Sequence, residues 1–210
     1  MSNTRLPADS IVVVGRQFGS GGRKIGRRLA EEFGLAYYDK EMLAEAARRL
    51  GFSEHVFARY DERPPSALRS WLSASFGVQD SFHQTPMSSE AIYAAQSRVI
   101  NELADEGGAV FVGRSADYIL RHRPHLASIF LHAPAEHRAQ VLLERGEVES
   151  HEKGIELARK IDRNREDFYN YFTGRRWGHA DNYHLTLDTS LLSDDAAYDV
   201  VRSWLLARLG

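Results

Sequence analysis

IVVVGRQFGSGGRKIGRRLAEEFG, residues 11 to 34, decides how the rest of the chain is read. The run IVVV suits a short strand buried on both faces. Gly15, Gly19, Gly21 and Gly22 then free the backbone, and Ile25, Leu29 and Phe33 recur at helical spacing. A strand, a glycine-rich loop and a basic helix start in that order make a phosphate cradle. The glycines let successive N–H groups converge on phosphate oxygens, and the helix presents its positive end. The usual string G-x-x-x-x-G-K-[S/T] is missing. Neither the lysine that adds charge at the terminal phosphates nor the hydroxyl that holds Mg²⁺ stands at its usual place. Taken alone, GSGG also fits a tight turn before an ordinary helix; the cradle is the reading that the wider chain favours.

Outward from this unit, Gly34 ends the helix, LAYYD at 35–39 reads as a second strand and EMLAEAARRL at 41–50 returns to helix. Residues 53–89 mix Pro, Ser and Gly with bulky apolars and read as a helical excursion from the sheet. Regular pattern resumes with a helix over 90–107, the strand AVFVGR at 109–114 and the strand ASIFLHA at 127–133. The helices EHRAQVLLER and KGIELARKIDRNREDFYNYF follow, then the strand YHLTLDTS at 183–190. The closing helix, DDAAYDVVRSWLLARL, carries Ala197, Val200, Val201, Leu205 and Leu206 on one side. Strands alternating with helices predict an α/β fold, a parallel sheet covered by helices on both faces, in a single domain over 1–210.

Composition narrows the function classes. With 43% hydrophobic residues among 210, the chain can bury a sizeable core. Lys plus Arg number 27 against 29 acidic residues, a net charge of -2, so nothing global attracts nucleic acid or an anionic membrane and any basic site is local. Cys is absent, which removes disulfides and thiolate metal sites. No apolar run approaches a membrane span, and Met1 to Ser10 has no basic-then-apolar leader pattern, so a cytoplasmic protein is expected. His151, His179 and His184 show no compact zinc-ligand spacing.

Taken in order, GRQFGSGGRKIG, FVGRSADYIL, DRNRE and TGRRWGHADNYHLTLDTS resemble the cytidylate-kinase-like family, a divergent branch of P-loop nucleoside monophosphate kinases, over nearly the whole chain. The resemblance implies a P-loop kinase fold with an acceptor-side excursion over 53–89 and a helical lid region over 144–178. It implies ATP with Mg²⁺ as cofactor, nucleotides as partners, and CMP or dCMP as the acceptor. Aligned on the apolar face of the first helix, Gly22 falls at the family's lysine and Lys24 at its Ser/Thr. Gly19, Ser20, Gly21, Gly22, Arg23 and Lys24 are then the ATP-binding residues. Arg23 and Lys24 are the available cations, and spacing does not choose between them. An arginine offers a planar fork matched to phosphate oxygens, whereas a lysine cannot replace a hydroxyl on Mg²⁺, so the metal's ligands are unassigned.

On the acceptor side the resemblance assigns Asp39, Arg114, Asp117 and Asp162. Arg114 follows a buried strand, at the sheet edge where open α/β folds bind ligands. Glu45 stands where relatives carry a phosphate-contacting arginine, and a carboxylate there would repel a monophosphate. Asp162 either orients an arginine or meets the acceptor base. Arg163 and Arg165 resemble lid arginines, which with Arg23 would act catalytically by stabilising charge on the transferring phosphoryl. By spacing alone, the same residues also fit a solvated helix face.

Beside transfer to a nucleoside monophosphate stand a kinase of another small hydroxyl or phosphate acceptor and two rivals from other classes. The altered loop and Glu45 suit a nucleotide-binding regulatory module without turnover. The aromatic and basic run FYNYFTGRRWGHADNYH has the composition of a stacking platform for single-stranded nucleic acid, which the overall charge disfavours.

Overall fold

The computed structural model describes residues 5–43 and 89–210. Glu45, the greater part of the helix expected over 41–50, and the excursion expected over 53–89 lie outside them, apart from Ser89 at the start of a helix.

Strand β1 (Ile11–Arg16) occupies the centre of a five-stranded parallel sheet ordered β2-β3-β1-β4-β5, with β2 (Ala36–Tyr38), β3 (Ala109–Val112), β4 (Leu126–His132) and β5 (Leu185–Asp188). Its placement follows from its side chains. Both faces of a central parallel strand are covered by helices, and IVVV has no polar face to offer water. Period-2 alternation divides the core in two. Ile11, Val13, Ala109 and Phe111 point to one face, and Val12, Val14, Val110 and Val112 to the other.

Helix α1 (Gly22–Phe33) brings Ile25, Leu29 and Ala30 onto the second face, beside α6 (Asp194–Leu209) with Ala197, Tyr198, Val201 and Leu205. On the first face lie α2 (Ser89–Asp105), through Val99, Ile100 and Leu103, and the short α3 (Ala116–Ile119). Helices α4 (Ala135–Glu144) and α5 (His151–Thr173) pack together where Gly154 abuts Ala139, so closely that a Cβ on Gly154 would lie 2.9 Å from the Ala139 Cβ. Serine side chains open the last two long helices: Ser150 accepts from the Lys153 N–H and Ser193 from the Ala196 N–H. Among the described residues, no helix is long and apolar enough to cross a membrane.

The buried seam of α6 differs from its expected one. Val200 is 41% exposed, and Tyr198 takes the buried place, its hydroxyl bonded to Glu32. At about 100° per residue, 197, 198, 201 and 205 share a narrower face than a set that includes 200. Tyr198 is covered because its ring packs while its polar tip still finds a partner.

Leu29 is fully buried between α1 and the sheet. Leu29→Ala is expected to lower stability by about 2–5 kcal/mol, because the rigid sheet cannot close the cavity. Urea denaturation should show a lower midpoint with an unchanged slope.

Candidate active site

Parallel register sets the ends of β1 and β3 side by side, with Val14 opposite Val112. The loop 17–21 and the turn Gly113–Ser115 therefore share the carboxyl edge of the sheet. Gly19 (φ 86°) and Gly21 (φ 81°) are left-handed, as a loop folding back over a helix start requires. The start of α1 is unusual for a helix. Gly21 gives it no side-chain cap, its first turn holds no acid, and Arg23 and Lys24 stand at its positive end. Free amides and cations at one terminus are unfavourable without an anion and favourable with one.

Three residues that the sequence does not place together lock the loop. The Phe18 N–H donates to Asp162 Oδ1 at 2.7 Å, and Arg138 Nη1 donates to the Phe18 carbonyl at 2.9 Å. Arg138 Nη1 also meets Asp162 Oδ2 at 2.6 Å, while its Nε donates to the Ala133 carbonyl at 2.8 Å. Asp162, assigned by the resemblance to the acceptor side, is thus turned to the loop and lines neither cleft described below. It orients arginines. Arg165 lies 3.5 Å from Asp162 Oδ1 and donates to the Arg16 carbonyl at 3.1 Å. Arg138 was missed because α4 carries it with no motif around it.

Among the described residues, two clefts open on this edge. The inner one, about 420 Å³, is lined by Arg16, Arg23, Arg114, Asp117, Arg165 and Tyr169 among others. The outer one, about 500 Å³, runs along the loop and includes Gly19, Gly21, Gly22, Arg23, Lys24 and Arg145. Arg16, Phe18, Arg23 and Arg165 border both. Of the two cations at the helix start, Arg23 faces the junction and also pairs with Glu41 at 3.3 Å and Asp39 at 3.7 Å. Lys24 turns to Asp194 at 2.6 Å on the outer rim. Arg163 is exposed and borders neither cleft. Asp39 is buried and caps the helical turn after it, its Oδ1 accepting from the Glu41 and Met42 N–H groups.

Arg114 reaches the inner cleft from a strained turn: Gly113, Arg114 and Ser115 have φ of 78°, 67° and 54°. Left-handed backbone at two non-glycine residues costs on the order of 1 kcal/mol or more each. Gln96 helps hold it, donating from Nε2 to the Arg114 carbonyl at 2.9 Å. Burial, with Arg165 nearby, pushes the Arg114 guanidinium down to about 10, and burial likewise pushes Arg165 down to about 10. Burial and then Arg165, Arg114 and Arg23 push Arg16 well below the ordinary arginine range. These cations repel one another, and an anion between them would relieve it.

The chemistry suits an oligophosphate. Among the described residues, the loop supplies no hydroxyl free to hold Mg²⁺. Gly22 and Lys24 stand at the positions aligned with the lysine and hydroxyl, and the Ser20 hydroxyl donates to the carbonyls of Gln17 (2.9 Å) and Leu131 (3.1 Å). Among the described residues no three His, Asp or Glu side chains gather as a metal site. Part of the tail's aromatic surface goes into packing, with Phe172 stacked on Tyr93 at 4.5 Å and Trp177 edge-on to Phe130 at 5.2 Å, while Phe168, Tyr169, Trp177 and Tyr183 also line the inner cleft and Tyr171 is exposed.

Asp117 lies deep in the inner cleft, 7% exposed, accepting from the Tyr169 hydroxyl at 2.7 Å. Burial pushes its carboxyl up to about 6. The folded state therefore binds a proton that the unfolded chain releases near pH 4, and this contribution to stability is lost as pH rises from about 4 through about 6. Asp117→Asn, which keeps an acceptor for Tyr169, should be more stable than the parent at pH 7 by on the order of 2 kcal/mol and show little advantage at pH 4. Paired thermal melts across that range measure the difference.

The geometry has counterparts. A family model for the cytidylate kinase-like family matches residues 11–191. A cytidylate kinase from Pyrococcus horikoshii is 24% identical over 94% of this chain and 90% of its own. Among solved structures, an uncharacterized protein from Eubacterium ventriosum is similar with a TM-score of 0.71 at 22% identity, covering 95% of this chain and 99% of its own. A gluconokinase from Sinorhizobium meliloti is similar at a TM-score of 0.52 and 18% identity, over 96% of this chain and 93% of its own. The sheet order, the helices on both faces and the loop ahead of α1 make this a P-loop kinase fold, and the chain belongs to the cytidylate kinase-like family.

Proposed function

We propose that the protein transfers the terminal phosphoryl group of ATP to a nucleoside monophosphate, with CMP or dCMP as the acceptor. The observation that carries this reading is the shared border of the two clefts: Arg16, Arg23 and Arg165 face both. A group passing between ligands in the two clefts would cross that border, where its developing charge meets fixed cations. The outer cleft, with the loop amides and the positive end of α1, suits the donor's phosphates. The inner cleft suits the acceptor. Arg114 offers a guanidinium for an acceptor phosphate, and Phe168, Tyr169, Trp177 and Tyr183 supply apolar walls around Asp117 for a base.

In this mechanism the residues position and neutralise. The clamp on Phe18 fixes the loop, Arg165 holds the Arg16 carbonyl while its charge faces the junction, and no side chain is needed as a covalent intermediate. A second reading, a nucleotide-binding module without turnover, is favoured by one observation: the Ser20 hydroxyl of the loop is tied to the backbone carbonyls of Gln17 and Leu131.

The test is a phosphotransfer screen with ATP, with and without Mg²⁺, against all ribo- and deoxynucleoside monophosphates and small hydroxyl acceptors. Transfer to CMP or dCMP supports the proposal; transfer to another acceptor corrects the substrate; ATP binding without transfer to any acceptor selects the binding module. Arg114→Ala should lower kcat/KM for the acceptor by roughly 10- to 150-fold, the loss of charge-assisted hydrogen bonds, with ATP affinity measured without acceptor little changed.

A further inference from the structure

The missing loop lysine raises the question of what replaces it, and the side chains give an answer outside the helix start. Position 22 aligns with that lysine and is a glycine. A Cβ built there would lie 2.7 Å from the Arg16 Cβ and 2.9 Å from its Cγ. Arg16 therefore fills the space that any side chain at 22 would need. Its guanidinium continues over the end of β3, where a Cβ on Gly113 would overlap Nη1. Two glycines, one on each side, make its channel. Arg16 ends at the junction of the clefts, and among the described residues no carboxylate lies within ion-pair distance of it. Its charged neighbours of consequence are Arg165, Arg114 and Arg23. Arg23 and Lys24, by contrast, each pair with a carboxylate.

We propose that Arg16 is the phosphate-gripping cation of this loop, reaching from the end of β1 into the place a lysine at position 22 would occupy, with Gly22 and Gly113 small to admit it. The proposal rests on the phosphate-binding reading of the cleft and names the residue that serves it. The physical logic is an exchange of origin. The charge comes from the strand before the loop instead of the helix after it, and as a guanidinium it offers a fork to two phosphate oxygens where an ammonium is a point charge. A cation held among cations, with no carboxylate at ion-pair distance among the described residues, is unfavourable until an anion arrives. That distinguishes a ligand-binding arginine from a structural one.

The experiment uses inorganic tripolyphosphate and ATP as probes, titrated by calorimetry, with thermal melts of the unliganded proteins alongside. Arg16→Ala is expected to weaken tripolyphosphate binding roughly 10- to 150-fold. Its unliganded Tm should be equal to or above that of the parent, since the group removed is desolvated and repelled. A lower unliganded Tm together with binding within about twofold of the parent would make Arg16 structural and overturn the assignment. Because the crowding at 22 begins at the Arg16 Cβ, the rescue variant takes position 16 to glycine: Arg16→Gly with Gly22→Lys should regain most of the affinity that Arg16→Gly alone loses. Equal loss in both also overturns it. If the parent itself does not bind tripolyphosphate or ATP, the phosphate reading of the cleft fails, an outcome distinct from the failure of Arg16 alone.

Discussion

The arrangement of the site depends on how one residue's backbone is held. Phe18 sits in the middle of the loop, and both of its peptide groups are taken: the N–H by Asp162 of α5 and the carbonyl by Arg138 of α4. Asp162 and Arg138 are themselves paired and nearly buried, with side-chain exposures of 11% and 5%. A buried pair of this kind contributes little net stability against an apolar replacement, yet loss of one partner alone leaves a costly uncompensated charge. What the pair gives is geometry. Loop, α4 and α5 are fixed to one another by charge-assisted hydrogen bonds with little angular freedom, and Arg165 is carried into place one helical turn beyond Asp162.

This clamp also sets the electrostatics. With Asp162 committed to the loop and Arg138, the cations around the junction are only partly balanced. Arg23 has Glu41 and Asp39 and Arg165 has Asp162, while the strongest neighbours of Arg16 are positive. The turn carrying Arg114 adds backbone strain at the same edge. Repulsion and strain both lower the stability of the unliganded fold, and a native protein is stable by only about 5–15 kcal/mol in all. Such a cost is supportable because the halves of the core on the two faces of β1 are apolar and buried.

The fold was legible because its signals are local and repetitive. IVVV and AVFV have no polar face and the run ending at Leu131 is apolar but for Ser128, so central parallel strands were the available reading, and the helix periods between them supplied the crossovers. Val200 misled because its type suits a buried face and only the neighbouring elements decide which side of α6 is covered. The candidate site was legible in part. The sequence brings the loop glycines, the helix-start cations and Arg114 to attention, and the fold sets them together at the carboxyl edge of the sheet. Arg138 and the turn of Asp162 toward the loop were not legible, since they come from contacts between residues far apart in the chain: 24 separate Arg138 from Asp162, and 144 separate Phe18 from Asp162. Arg16 went unnoticed for a different reason. Motif spacing directs attention to residues after the glycines, and a cation ahead of them enters the same space only through the side-chain path past Gly22.

That path explains how a loop without its lysine remains coherent. A cradle needs its free amides, a positive charge near the terminal phosphates and room for the chain to pass close to the ligand. Amides come from the helix start, which depends on backbone conformation and tolerates many side chains. Charge can come from either end of the loop provided the other end makes space, so an arginine at 16 and a glycine at 22 are one substitution in physical terms, not two. The larger guanidinium also accounts for Gly113 just past the end of the neighbouring strand, where even a methyl group would meet Nη1. Departures that look separate in the sequence are thus coupled in space: the glycine at 22, the arginine at 16 and the glycine that opens the strained turn carrying Arg114 form one contiguous solution to putting positive charge at the carboxyl edge of this sheet.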